Sequence, residues 1–199
     1  MKRLFDAVLA AVGLAVSAPI WLACACAIRI EDGGPVFYSQ DRVGRDGQIF
    51  RVLKFRSMRE DAEQGTGPMQ AGPADARITR TGRLMRSTAM DELPQLWNIL
   101  RGDMSFVGPR ALRPGEIEAE GGSPIALESV PGYGRRIVVP PGLTGLAQVY
   151  AARDVPRRQK FRYDTLYVRR QSLGLDIRLI LLSFWISFRG TWESRGRKY

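Results

Sequence analysis

Apolar and polar positions follow three patterns along this chain. Residues 4–30, LFDAVLAAVGLAVSAPIWLACACAIRI, are apolar on every face, with no charge from Ala7 to Ile28. Residues 33–58, GGPVFYSQDRVGRDGQIFRVLKFRSM, read as two strands around a Gly44–Gly47 turn that carries an Asp46-Gly47 pair. Residues 90–110, MDELPQLWNILRGDMSFVGPR, place Leu93, Leu96, Trp97 and Leu100 at helical spacing. Asp91, Gln95 and Asn98 recur at i, i+4 and i+7 on the opposite face.

The spacing predicts a helix from near Thr81 through this last stretch. Proline is tolerated only in a first turn, so Pro94 puts Asp91 near a helix N-terminus, with Thr88 as a competing cap. Residues 60–76, rich in Gly, Pro and small polar types, read as a surface loop. Residues 115–131 form a second soft region expected to hold a helical piece. Residues 138–150, VVPPGLTGLAQVY, read as short strand and turn, and a helix is expected after DVPRRQ through KFRYDTLYVRR. Leu173–Gly190 predicts a helix too short to span a bilayer, either a core helix or one lying at a membrane interface. The fold class expected is α/β and predominantly helical. Residues 1–30 would form a re-entrant membrane hairpin. Residues 31–199 would form a compact cytosolic catalytic domain with a small β-hairpin and interfacial amphipathic helices.

The first segment is long enough to cross the roughly 30 Å hydrocarbon core of a bilayer. Pro19 argues against a simple crossing, because it removes the hydrogen bond to the Ala15 carbonyl, and the Ser17 hydroxyl beside it can occupy freed backbone groups. A straight crossing would leave Lys2 and Arg3 outside, against the positive-inside bias. The preferred reading is a hairpin that bends at Ser17–Pro19 and returns, keeping all charges in the cytosol. A kinked full crossing and a signal peptide ending near ACA are the alternatives.

Charge and composition then narrow the chemistry. The 199-residue chain carries a net charge of +10, which calls for an anionic partner. It has no histidine, which excludes Ser-His-Asp and Cys-His catalysis. Its only cysteines, Cys24 and Cys26, lie in the apolar run and suit neither a zinc site nor a disulfide framework. Carboxylates, Lys and Arg, hydroxyls or an oxygen-bound metal remain. An Asp-Glu pair alone reads as a helix cap. Here Arg80, Arg83 and Arg86 stand upstream, Arg110 downstream, and Lys54 and Arg56 come from the hairpin. Guanidinium forks and ammonium groups hold phosphate oxygens, and Mg²⁺ is commonly held by one or two carboxylates plus phosphates. The expectation is a phosphorylated substrate with Mg²⁺ at Asp91 and Glu92. Neither a Walker A pattern nor a dinucleotide-type glycine motif competes.

Taken together, the Ser-x-Pro segment, GGPVFYSQDRVGRDGQIFRVLKFRSM, MDELPQLWNILRGDMSFVGPR, PPGLTGLAQV and LDIRLILLS resemble the small monotopic bacterial phosphoglycosyl transferases, or bacterial sugar transferases. The resemblance covers about Leu4 to Phe188. It implies transfer of a sugar 1-phosphate from a UDP-sugar to undecaprenyl (polyprenyl) phosphate, with release of UMP, at the cytosolic face of a bacterial inner membrane. Asp91 would be the covalent nucleophile, with Glu92 assisting as metal ligand or proton handler. Arg86, Arg110 and Lys54 would bind phosphate, while Asp164 and Asp176 fall on matching acidic positions that suit substrate binding or a structural salt bridge equally well. Three departures stand out. Ala111 replaces the second proline of a usual Pro-Arg-Pro, Pro140 stands where a basic residue is usual, and Arg153 is displaced by one place, which leaves it open between a substrate-binding and a structural role. Some relatives have extra amino-terminal domains, and none is expected here. The rival reading is a non-catalytic, membrane-anchored basic module for nucleic acid or anionic lipid. No nucleic-acid partner is expected on the leading reading.

Overall fold

The computed structural model describes residues 1–60, 62, 75–120, 123–152 and 155–189. Nearly all of the expected 60–76 loop, together with Arg153, lies outside the described residues. Helix α1 (Lys2–Asp32) is one uninterrupted helix of 31 residues with Pro19 inside it. Two arms joined by a bend were expected there. Pro19 forfeits only one hydrogen bond in a helix this long, and Ser17 Oγ contacts the Leu14 carbonyl at 3.5 Å. Asp6, Ala10, Ser17, Cys24 and Ile28 are buried at spacings that form one stripe along α1. The helix therefore lays a single face on the rest of the chain, and Val8, Val12 and Val16 point outward.

Strands β1 (Phe37–Val43) and β2 (Ile49–Phe55) pair antiparallel from Phe37 opposite Phe55 to Val43 opposite Ile49, as the alternation predicts. The tight connection uses Asp46 at φ 54° and Gly47 at φ 80°, the left-handed region that Gly, Asn and Asp tolerate. The helix expected from Thr81 onward is broken in two: α2 (Arg80–Ser87) and α3 (Gln95–Arg101). Thr88 caps nothing downstream; its hydroxyl donates to the Leu84 carbonyl at 2.9 Å and closes α2. Within α3, Leu96 and Ile99 are buried but Trp97 stands half-exposed, so the inward stripe is shifted from the one expected.

Strand β3 (Ser105–Val107) pairs parallel with β6 (Gly142–Thr144). The soft region holds a hairpin, in which β4 (Ile117–Glu120) pairs with β5 (Ser123–Ala126), followed by a single 3₁₀ turn at Leu127–Ser129 where a helical piece was expected. Short helices α4 (Tyr133–Arg136) and α5 (Leu146–Tyr150) lead to α6 (Arg157–Arg170) and α7 (Leu173–Phe188). The main core joins Ala10 of α1, Val52 of β2, Leu96 and Ile99 of α3, Phe106 and Val107 of β3, Tyr167 of α6 and Leu179 and Ile186 of α7. Helix α7 is two-sided: Asp176, Leu179, Ser183 and Ile186 face inward while Leu181, Phe184, Trp185 and Phe188 are exposed. Among the described residues only α1 is long and apolar enough to cross a membrane.

Candidate active site

The acidic pair sits in the break between α2 and α3. Ala89 adopts a left-handed conformation at φ 58°, and Met90–Glu92 follow as one tight 3₁₀ turn whose bonds run from Glu92 N–H to the Ala89 carbonyl and from Leu93 N–H to the Met90 carbonyl. An alanine there is strained by roughly 1–2 kcal/mol, so tertiary packing must hold it. Asp91 and Glu92 are each 8% exposed, on a turn that precedes α3.

Asn98 of α3 explains how the hairpin is brought against this turn. Its Oδ1 accepts from Leu53 N–H at 2.9 Å, and its Nδ2 donates to the Arg51 carbonyl at 2.8 Å. The polar face read from the sequence is thus a brace onto the edge of β2. It carries Lys54 to Glu92, with Nζ to Oε1 at 2.5 Å. Arg110 reaches the same Glu92 oxygen at 3.8 Å.

Arg110 belongs to the turn Gly108-Pro109-Arg110, which is wedged against residues 140–145. A Cβ on Gly108 would meet the Pro140 carbonyl at 2.4 Å, and one on Gly142 would meet Gly108 N at 2.0 Å, so glycine is required on both sides of this seam. Two further arginines fix the turn by its carbonyls. Arg42 Nη1 donates to Ala111 O at 3.3 Å, and Arg136 Nη2 donates to Arg110 O. Arg136 is itself held by Asp164 at 2.9 Å and lies over the Phe161 ring, 4.7 Å from its centroid.

A cleft of about 890 Å³ opens over these groups, lined among others by Lys54, Arg86, Asp91, Glu92, Arg110 and Gln148. Cations outnumber carboxylates along its walls, and the electrostatics follow. Burial alone would push Glu92 upward, but Lys54, Arg110 and Arg42 override it and hold its carboxyl down at about 2. Arg42 is driven down to about 10 by burial and by its neighbours Arg110 and Arg113. This surplus of positive charge around an ionised acid suits a ligand bearing several phosphate oxygens.

The structure therefore brings Lys54, Arg86, Asp91, Glu92, Arg110 and Asp164 to one cleft. Asp176 lies elsewhere. It accepts from Lys2 at 2.6 Å and from Tyr167 at 2.8 Å, tying α1 to α6 and α7. Ser17 and Pro19 are on α1, with Ser17 buried and Pro19 exposed. Arg42 and Arg136 were not anticipated. Arg42 was findable, because with Tyr38 opposite Lys54 the period-2 alternation puts Arg42 on the face of Lys54. No local signal marks Arg136. As for Mg²⁺, no group of three or more acidic or cysteine side chains is poised to hold a metal among the described residues. Two adjacent carboxylates nevertheless match part of the donor set that this ion takes.

These features amount to a buried acidic pair in a cation-lined cleft on a chain that carries one long apolar helix. The chain belongs to the bacterial sugar transferase family, whose pattern matches residues 1–190. It is 41% identical over 187 residues to a UDP-glucose:undecaprenyl-phosphate glucose-1-phosphate transferase of Xanthomonas campestris pv. campestris, covering 92% of this chain and 37% of that protein. A protein of the same description from Caulobacter vibrioides is 41% identical over 185 residues, covering 90% of this chain and 67% of the relative. A UDP-N-acetylgalactosamine-undecaprenyl-phosphate N-acetylgalactosaminephosphotransferase of Aeromonas hydrophila is 38% identical over 183 residues, covering 90% and 42%. The chain thus spans well under half the length of two of these three relatives.

Proposed function

We propose that this chain transfers a sugar 1-phosphate from a UDP-sugar to undecaprenyl phosphate, releasing UMP and starting the assembly of a membrane-associated glycan. The observation that carries this reading is the buried acidic pair on a strained turn beneath a cation-lined cleft. The relatives' names point the same way, though they differ in the sugar, so no sugar is assigned.

The chemistry follows in two displacements. An Asp91 carboxylate oxygen attacks the β-phosphorus of the UDP-sugar, and the bond from that phosphorus to the bridging oxygen breaks. UMP leaves with the oxygen, and an aspartyl phosphosugar remains. A phosphate oxygen of the acceptor then attacks the same phosphorus and releases the Asp91 carboxylate, giving a polyprenyl diphosphosugar. Both steps exchange one P–O bond for another, and a carboxylate serves as an established covalent nucleophile. Lys54, Arg86 and Arg110 orient the phosphates and offset developing charge. Glu92 stays ionised in the field of Lys54 and Arg110 and, with Asp91, would hold Mg²⁺. When bound, that ion would neutralise diphosphate charge.

Both ends of α1 are fastened to one body, which supports a re-entrant placement at the cytosolic face. Arg3 donates to the Ile99 and Leu100 carbonyls at 2.6 Å each. At the far end Glu31 accepts from Arg80 N–H at 2.6 Å and Thr81 N–H at 2.9 Å. A straight helix of this length runs about 46 Å, and crossing a core of about 30 Å would place the two fastened ends on opposite sides. An epitope at the amino terminus should be reached by antibody only after the membrane is opened; access from outside intact cells would establish a crossing.

The decisive experiment incubates the protein with Mg²⁺, undecaprenyl phosphate and a panel of UDP-sugars. UMP should be released with one of them, and Asp91→Asn should lower that release by at least about a thousandfold, since an amide is no nucleophile here. Substantial turnover by this variant would sink the covalent route. A binding-only module would release no UMP from any donor.

A further inference from the structure

The acidic turn and its cations share atoms that two different ligands would each need. Glu92 Oε1 accepts from Lys54 Nζ at 2.5 Å and lies 3.8 Å from Arg110 Nη2. A phosphate calls for those two cations, and a divalent metal calls for that carboxylate. An ammonium in contact with a carboxylate oxygen repels a second cation brought to it, and Glu92 is buried, where water screens little. Arg42, Arg56 and Arg86 line the same cleft and add to the repulsion. Among the described residues no third carboxylate or thiolate joins the pair as a metal ligand to offset it.

The two cations are fixed at their backbones and movable at their tips. Lys54 follows Leu53, which Asn98 holds, and the Arg110 backbone is held by the glycine seam and by Arg136. The Arg110 side chain is 46% exposed, and the Lys54 ammonium rides on a flexible four-carbon stem, so both tips can turn while the chain stays still. A sugar diphosphate carries two negative charges. Moving the two cations onto it, while one divalent ion replaces them at the acids, leaves the local charge unchanged. Bare metal would instead add its full charge to walls that are already basic. We infer that Lys54 and Arg110 guard Glu92 against bare Mg²⁺, which enters only together with the diphosphate. The two cations then pass from the carboxylate to the phosphate oxygens, and Glu92 offers the metal the oxygen they release. This inference rests on the transferase reading and adds to it the order in which its ligands arrive.

The test uses the full chain in a neutral detergent and Mn²⁺ in place of Mg²⁺, because the sharp paramagnetic resonance of aqueous Mn²⁺ is lost on binding. The native chain should bind Mn²⁺ weakly by itself, and Lys54→Met should bind it at least about tenfold more tightly. Arg110→Met, which removes the more distant cation, should gain less, and Lys54→Arg, which keeps a cation on the acid, should gain nothing. The gain should vanish when Lys54→Met is combined with Glu92→Gln. UDP serves as the diphosphate probe in the second arm. The native chain should bind it at least about tenfold more tightly with Mn²⁺ than without, a coupling that Lys54→Met should shrink. A folding defect lowers affinity and so cannot mimic the gain. Unchanged or weaker Mn²⁺ binding by Lys54→Met, a gain that survives Glu92→Gln, or tight Mn²⁺ binding by the native chain alone would overturn the inference. Should the exchange be seen while no UDP-sugar yields UMP, the guard stands and the transferase reading falls. UMP release by a native chain that binds bare Mn²⁺ tightly would sink the guard alone.

Discussion

Glu92 and Asp164 line the same cleft, are both buried and each bind a basic side chain, yet they are driven in opposite directions. Glu92 faces Lys54, Arg110 and Arg42 together, and their attraction overcomes burial, holding it far below the ordinary carboxylate range. Asp164 meets Arg136 directly, but that guanidinium is shared with the Arg110 carbonyl and the Phe161 ring, and burial prevails: its carboxyl is raised. The difference lies in the surplus of positive charge. Around Glu92 several cations converge on one acid and leave positive field for a phosphorylated ligand. Around Asp164 burial outweighs the pull of Arg136, Arg157 and Lys160, and the work of its pair with Arg136 is to hold the backbone of the Arg110 turn.

The comparison can be broken at either member. The largest effect is expected at the pair of Asp164 with Arg136: Asp164→Ala strands a buried guanidinium and should destabilise the fold by about 3–5 kcal/mol, read as a fall in Tm. The double variant Asp164→Leu with Arg136→Met should recover much of that loss; native Tm in the single variant would refute the structural role given to this pair. Next comes Lys54→Met, which removes the nearest cation from Glu92. The Glu92 carboxyl should then titrate higher, and the acid limb of the UMP-release profile should move to higher pH, with turnover reduced by about 10- to 100-fold.

The sign of the pH dependence separates the two acids further. The folded Glu92 carboxyl lies at about 2 against an ordinary 4.5, so its contribution to stability is present above pH 4.5 and is lost as pH falls toward 2. Glu92→Gln should flatten the slope of Tm against pH in that window. Asp164 is shifted upward, so its contribution is present below its ordinary 3.8 and is lost as pH rises from there. Asp164→Asn should therefore change the slope in the opposite sense, and parallel changes in the two variants would erase the distinction. The smallest effect belongs to the turn that carries the pair. Ala89→Gly relieves left-handed strain but adds unfolded-state freedom, for a net gain below about 1 kcal/mol, whereas Ala89→Val should lower Tm.

Much of this was legible in the sequence, for identifiable reasons. The β1–β2 hairpin announced itself through period-2 alternation around a turn pair, and the dyad stood out as acid in a basic field. The break at Ala89 gave no warning. Alanine is the strongest helix former, and only contacts made by distant residues force it to positive φ. Strands β4 and β5 are four residues each, too short for a periodic signal, and Glu118 is fixed by Arg157, 39 positions away. The pairing of Arg136 with Asp164 spans 28 positions and likewise has no local trace. Pro19, read as a turning point, lies inside α1, which does not end there.

Asp6 puts a timetable on assembly. This carboxylate is buried near the start of α1, where it accepts from the Ser105 hydroxyl at 2.8 Å and from Phe106 N–H at 3.1 Å. Those donors lie about a hundred residues further along, so a ribosome working at roughly 5–20 residues per second delivers them on the order of 5–20 s after the helix emerges. Throughout that interval the greasiest part of the nascent chain carries an acid without its final partners, and must keep it wet. This helix is therefore made long before the strand that satisfies its acid.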